Sequence, residues 1–404
     1  MLHENPDWYA PLGAAFDAAG VPHEQWLLTG GVLDLDDPPP AGVFWSRLSA
    51  SAHTRRHPYA KDHARAVLSS LESHGRRVVN GRRALELEVS KAAQLAALRA
   101  AGFDVPRTLA VVGTAELPPA ARKLPVPFIA KHNQGGKGLG VRLFSSHDEF
   151  DAYLASPEYL APVDGITLLQ EYLQASAPFI TRVEIVGGKF VYAITADTAR
   201  GGFELCPADA CAVGQAAAVG QAAGPAGGAG AADDGSAAGP AGGAGLFALR
   251  QGFDHPIIGR YLDFARHQGV EIAGFEFIET ADGRVVTYDI NTTTNYNAEI
   301  EAVAPRPALP EVAAFLGRLL AEEARRSAGP GGNLEARPGS DPEIRSRRGA
   351  APPGLRSEGR ATREGGAFRR PVGDPKTGRR FGWCGSDTGC RFSADGCATS
   401  VTRA

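Results

Sequence analysis

Polar and apolar positions along this chain follow two periods in turn. Arg182 to Val186 and Lys189 to Thr195 carry the apolar runs and alternation of strands, as do Glu271 to Glu279 and Arg284 to Asn291. The first pair flanks Gly187-Gly188, a two-residue hairpin signal, because glycine reaches the positive φ that such turns need. The second pair flanks Ala281-Asp282-Gly283 in the same way. Helical spacing takes over elsewhere. Ser90 is placed to cap a helix that carries Leu95 and Leu98 on one side and ends at Gly102, with Pro106 beyond. Ser146-His147-Asp148-Glu149 reads as a capping box ahead of Phe150, Tyr153 and Leu154. Val126 to Lys131 predicts a short strand running into a glycine-rich loop. Strands alternating with helices predict an α/β or α+β architecture.

Two segments break the pattern. Residues 212–245 are almost all Gly and Ala with some Pro, and residues 327–404 are rich in Arg, Gly, Pro and Ser. Neither has the bulky apolar residues to build a core, so both are expected to be disordered. The expected organisation is therefore an N-terminal α/β domain over 1–89, a second domain over 90–326 interrupted by the 212–245 insert, and the tail 327–404.

Composition narrows the function classes. The 404 residues are 43% apolar with a net charge of -3, which gives no reason to expect nucleic acid or membrane binding by the folded core. The tail holds 14 basic and 8 acidic residues, and its plainest reading is a solvated segment without specific contacts. Met1 to Gly20 has no signal-peptide pattern and no apolar run reaches about eighteen residues, so a cytoplasmic protein is expected. Cys206, Cys211, Cys384, Cys390 and Cys397 form no C-x-x-C pair, which supports neither a zinc site nor a disulfide framework.

Two stretches carry candidate chemistry. In Ala130-Lys131-His132-Asn133-Gln134-Gly135-Gly136-Lys137-Gly138-Leu139-Gly140, lysines and bare backbone amides suit phosphate oxygens. A Walker loop requires Ser or Thr after the lysine, whereas Gly138 follows Lys137, and the spacing also fails the dinucleotide fingerprint. A flexible hairpin tip with a solubilising lysine is the alternative. In Tyr288-Asp289-Ile290-Asn291, strand alternation points Asp289 and Asn291 one way and Tyr288 and Ile290 the other. A matching register brings Glu276 beside them, and three oxygen ligands then converge as magnesium prefers. On spacing alone, the polar face of an amphipathic hairpin is the competing reading.

Taken in order, these parts resemble the ATP-grasp superfamily, most closely its branch of RimK-type glutamate ligases and glutathione synthetases. The resemblance spans about Val43 to Glu322. It rests on Ser90-Lys91 with Gly102 to Thr108, Ile129-Ala130-Lys131 with the glycine loop, and Gln170-Glu171-Tyr172-Leu173. Arg182 with the Gly187-Gly188 hairpin, and Gly274-Phe275-Glu276 with Tyr288-Asp289-Ile290-Asn291, complete it. The implied fold is an ATP-grasp unit behind an N-terminal α/β domain. The implied activity is ATP-dependent joining of a carboxylate to an amine through an acyl phosphate, with small-molecule or peptide substrates. Homo-oligomers are compatible with it.

The resemblance assigns Lys91 and Lys131 to the ATP phosphates, and Gly135, Gly136, Lys137 and Gly138 to a closing flap. Gln170, Glu171, Tyr172 and Leu173 fall to the adenine side. Glu276, Asp289 and Asn291 fall to magnesium, with manganese as an acceptable substitute. Arg182 is assigned to steadying the phosphorylated substrate beside Lys131. Relatives usually carry Asp and then Glu-x-Asn, so the longer and shorter carboxylates are exchanged here, which preserves their combined reach. An ATP-binding protein without ligase chemistry and an ATP-grasp kinase are the rival readings. Outside the pattern, Arg47 suits a substrate carboxylate or a surface ion pair equally. Asn295 and Asn297 suit an acceptor site or a turn.

Overall fold

The computed structural model describes residues 1–135, 140–198 and 246–328. Gly136, Lys137 and Gly138, the five cysteines, the 212–245 insert and the tail from residue 329 lie outside the described residues, and so do the readings made for them.

Three sheets organise the described chain. In the first, β1 (Leu2–His3), β2 (Trp26–Leu27), β3 (Val43–Arg47) and β4 (Arg77–Val79) are all parallel, in the order β2-β1-β3-β4. The second is antiparallel in the order β5-β8-β6-β7, from β5 (Thr108–Val112), β6 (Phe128–His132), β7 (Arg142–Phe144) and β8 (Ile166–Glu171). The third is antiparallel in the order β11-β10-β9-β12-β13, from β9 (Phe179–Val186), β10 (Lys189–Asp197), β11 (Phe247–Leu249), β12 (Ile272–Glu279) and β13 (Val285–Asn291). Parallel and antiparallel sheets side by side bear out the mixed α/β expectation.

Local chemistry explains the elements. Ser90 Oγ accepts from Ala93 N at 3.2 Å and starts the helix Lys91–Ala100; Ser146 Oγ accepts from Glu149 N at 3.1 Å and starts His147–Leu154. The hairpin turn uses Gly187 and Gly188 at φ 58° and 74°, and a Cβ at Gly187 would sit 2.6 Å from the Phe315 ring. The strand expected from Val126 begins two residues later, at Phe128. Pro127, which has no N–H to give to a ladder, stands just before it.

The cores join the layers. Ile257, Tyr261, Phe264 and Ala265 form one apolar stripe of the helix Ile257–Gln268 and pack on Val183, Phe275 and Phe277 of the third sheet. Trp45 and Val79 of the parallel sheet share a second core with Val186, Tyr192 and Ile272, closed by Val312 and Phe315 of the helix Ala308–Ser327. The short helix Arg82–Val89 contributes Ala84 and Leu87 to the third sheet's core, and Leu85 and Val89 to a core beneath the parallel sheet. The carboxyl ends of the parallel strands thereby meet the loop that follows β13. Among the described residues no helix is long and apolar enough to cross a membrane.

Candidate active site

The site grows from the β12–β13 hairpin. Glu276 lies directly across from Asp289, and Gly274 across from Asn291, so the expected convergence of three oxygen-bearing side chains is present. The structure corrects one detail. The register shifts between Glu276 and Phe277, leaving Tyr288 out of step, and its hydroxyl donates to Glu276 Oε2 at 2.8 Å on the side from which alternation would have excluded it. Ile290 keeps the predicted direction and sits in the core with Phe275.

Buried charge surrounds Glu276. Arg182, its partner residue on β9, brings Nη1 to 3.3 Å from Glu276 Oε1 and Nε to 2.6 Å from Glu184 Oε1, while Nη2 bonds Thr294 Oγ1. Gly274 is required here, because a Cβ would stand 2.5 Å from Arg182 Nε. Asn291 Nδ2 donates to Glu276 Oε1 at 3.2 Å, which leaves the Asn291 carbonyl oxygen for another partner. Burial, and then the negative charge of Asp289, push the Glu276 carboxyl above its ordinary range.

Two lysines approach from other elements. Lys91, the first residue of its helix, has its ammonium against Asp289 Oδ1. Lys131 arrives on β6, half-buried, within electrostatic range of Lys91, Asp289 and Glu276. Burial first, and the Lys91 charge with it, lower the Lys131 ammonium to about 8. Two side-by-side carboxylates and a free amide oxygen are hard donors, and the Lys91 ammonium shows that Asp289 accommodates a cation. The set fits magnesium. Among the described residues no cluster of three His, Cys, Asp or Glu offers a different metal site.

The base of the glycine loop is pinned before the loop begins. Asn133 Oδ1 accepts from Ala92 N at 2.7 Å, and Asn133 Nδ2 donates to Asp164 Oδ2 at 2.6 Å. Gln134 Oε1 accepts from Lys61 Nζ at 2.6 Å, and Gly135 is buried. On the expected adenine side, Gln170 Nε2 turns to Thr108 Oγ1 at 2.9 Å, and Glu171 Oε1 already accepts from Arg107 N at 2.9 Å. Leu173 packs in the core with Ile278 and Tyr288, and Tyr172 is 37% exposed. The residues after them are tied to the β12–β13 hairpin, where Ala281 N donates to Gln174 O at 3.0 Å.

Sequence reasoning missed the supports. Glu88 is buried, and its Oε2 accepts from Thr292 N and Thr292 Oγ1, both at 2.9 Å. Gln94 bridges Leu87 O and both backbone groups of Ile290, at 2.8 to 3.1 Å. Asn80, at φ 52°, holds Ile272 O at 2.7 Å and Thr292 O at 3.1 Å. Only Glu184 left a signal, since it shares the Arg182 face two residues along the strand. Arg47 is no surface ion pair. It is buried, with Nη2 donating to Thr293 O, Thr294 O and Asn295 Oδ1 at 3.2, 2.7 and 2.8 Å. Asn297 caps the helix Ala298–Val303.

Comparison with known proteins identifies the fold. No protein-family model matches the chain. No curated protein matches it either. Among solved structures, the RimK domain ATP-grasp protein from Sphaerobacter thermophilus is 17% identical with a TM-score of 0.53, covering 78% of this chain and 98% of that one. D-cycloserine synthetase DcsG is 15% identical with a TM-score of 0.51, over 79% and 98%. The ATP-grasp ligase PsnB, complexed with precursor peptide PsnA2 and AMPPNP, is 15% identical with a TM-score of 0.50, over 80% and 98%. The chain has the ATP-grasp fold.

Proposed function

We propose that this chain, an ATP-grasp protein by its fold, is an ATP- and magnesium-dependent ligase that joins a carboxylate to an amine, with an amino acid or peptide on at least one side. The observation that carries the reading is the meeting of Lys91, Lys131, Glu276, Asp289 and Asn291, drawn from a helix and two different sheets. The precursor peptide bound to PsnB supports a peptide as one substrate class.

Each residue has a task in this reading. Glu276, Asp289 and the Asn291 carbonyl oxygen would hold the magnesium. When bound, that ion supplies divalent charge against the phosphate oxygens. Lys91 and Lys131 hold phosphate oxygens in a half-buried setting, where charge acts more strongly than in water. Arg182 is fixed by Glu184 and Thr294, keeps Glu276 in place and brings positive charge toward the phosphorylated substrate. The glycine loop that follows Gln134 has the task of excluding water in this reading. The substrate carboxylate takes the phosphoryl group, and an amine then displaces phosphate with loss of a proton, leaving an amide. No side chain acts as nucleophile.

The test is phosphate release from Mg-ATP by the purified protein, with and without pooled amino acids, peptides and small carboxylates, followed by mass spectrometry. Pool-dependent release with a product one water lighter than its two parts is expected. A stable phosphorylated product without an amide would instead mark a kinase, and nucleotide binding without release under any pool would mark a binding protein.

A further inference from the structure

One buried amide joins the helix of Lys91 to the strand that carries Asp289 and Asn291. β13 is the last strand of its sheet, and Ile290 stands on it between those two residues. Both backbone groups of Ile290 go to Gln94: Ile290 N donates to Gln94 Oε1 at 2.9 Å, and Gln94 Nε2 donates to Ile290 O at 2.8 Å. A side-chain amide thus stands where a further strand would pair. Gln94 Nε2 also donates to Leu87 O at 3.1 Å. The partners fix which way the amide faces, since its oxygen meets an N–H and its nitrogen meets two carbonyls.

Lys91 is held from two directions by this arrangement. Lys91 N donates to Asn133 O at 3.3 Å and Ala92 N to Asn133 Oδ1 at 2.7 Å, which fixes the first turn of the helix to the base of the glycine loop. One turn on, the wholly buried Gln94 fixes the same helix to β13. The first tie sets Lys91 against the strand that carries Lys131. The second sets it against Asp289.

The second tie bears on one carboxylate oxygen. Asp289 Oδ1 faces the Lys91 ammonium and also accepts from Ile290 N at 2.8 Å, so the Ile290 N–H is shared between Asp289 and Gln94. If Asp289 Oδ1 gives up this N–H to hold a cation, a buried donor is left unmet unless a second acceptor keeps it, and an unmet buried donor is costly. Gln94 Oε1 is that second acceptor. We propose that Gln94 is a positioning residue for the metal site: it keeps the Ile290 N–H supplied, so that Asp289 Oδ1 is available to magnesium, and it fixes Lys91 opposite that oxygen. The proposal rests on the assignment of Glu276, Asp289 and Asn291 to magnesium in the ligase reading, and adds a residue that makes no metal contact of its own.

Calorimetric titration of ADP across a magnesium series tests this on the full chain without turnover. Gln94→Met keeps the length of the side chain but has no amide, whereas Leu98→Ala removes core packing one turn along the same helix and leaves the amide in place. In Gln94→Met the magnesium concentration that half-tightens ADP is expected to rise at least about tenfold, as loss of an outer support of a metal ligand implies. ADP affinity without magnesium should stay within about twofold, because the Asn133 tie to the Lys91 helix remains. Leu98→Ala should lower the urea midpoint of unfolding and leave the magnesium midpoint within about twofold of the wild type. Gln94→Asn, which keeps an amide one methylene short of β13, should move the magnesium midpoint in the same direction as Gln94→Met and serves where that variant does not fold. A magnesium midpoint unmoved in whichever Gln94 variant folds, equal weakening of ADP with and without magnesium, or the same shift in Leu98→Ala overturns the proposal. A wild-type chain whose ADP affinity ignores magnesium would sink the metal assignment itself, and this proposal with it.

Discussion

Two buried clusters of charge lie on either side of Thr294, and they are built differently. Around Glu276 most of the charge is met within the cluster: Arg182 meets two carboxylates and a hydroxyl, Tyr288 meets Glu276, and Lys91 meets Asp289. Around Arg47 the donors outnumber the acceptors, and Tyr296, Arg47 and His3 keep buried atoms without partners. A partnered cluster holds itself in shape before any ligand arrives, which suits residues that must present metal ligands in fixed geometry. An unpartnered one carries a desolvation cost that its own neighbours do not offset. The contrast separates groups held by their neighbours from groups left with unmet hydrogen-bonding capacity.

The largest effect is expected where the partnered cluster is broken. Arg182→Met leaves Glu184 and Glu276 buried without their cation and should cost about 3–5 kcal/mol in urea unfolding. A loss near zero would mean that these carboxylates reach water. Lys131 gives the next effect, read as pH dependence. Its ammonium is lowered from 10.5 to about 8, so the unfolded chain binds the extra proton between those values. Without nucleotide, stability should therefore rise with pH across that window, and nucleotide affinity should fall above about pH 8 as the lysine discharges. Lys131→Met should flatten both profiles. The smallest effects form a matched pair. Tyr288→Phe strips Glu276 of a donor and should cost about 1–3 kcal/mol, whereas Tyr296→Phe, which frees a buried hydroxyl of its unmet bond, should be neutral or stabilising by up to about 1 kcal/mol. Equal costs in thermal or urea unfolding would erase the distinction between the two clusters.

Much of this was legible in the chain itself, for identifiable reasons. Alternation and turn chemistry are local, so the two hairpins, the Ser90 and Ser146 caps and the meeting of Glu276 with Asp289 could be read from residues close in sequence. The order of the parts gave the fold. What stayed hidden depends on contacts across the chain. Arg47 lies 247 positions from Thr294, and Glu88 lies 204 from Thr292; no spacing rule links them. The register shift beside Glu276 was hidden too, because a single extra residue in a strand leaves no compositional mark. Arg182 stood out in the chain as a candidate, but its tie to Thr294 needed the loop after β13 to fold back over β9.

The central claim is that Glu276, Asp289 and Asn291 hold the metal that accompanies a nucleotide. Calorimetric titration of ADP into the wild-type chain and into Asp289→Asn, each with and without magnesium, tests it most directly. Magnesium should tighten ADP by at least about tenfold in the wild type and leave the variant unaffected, since removing one carboxylate from a hard-oxygen set takes away most of its hold on the ion. An Asp289→Asn protein that keeps the full magnesium effect would contradict the account.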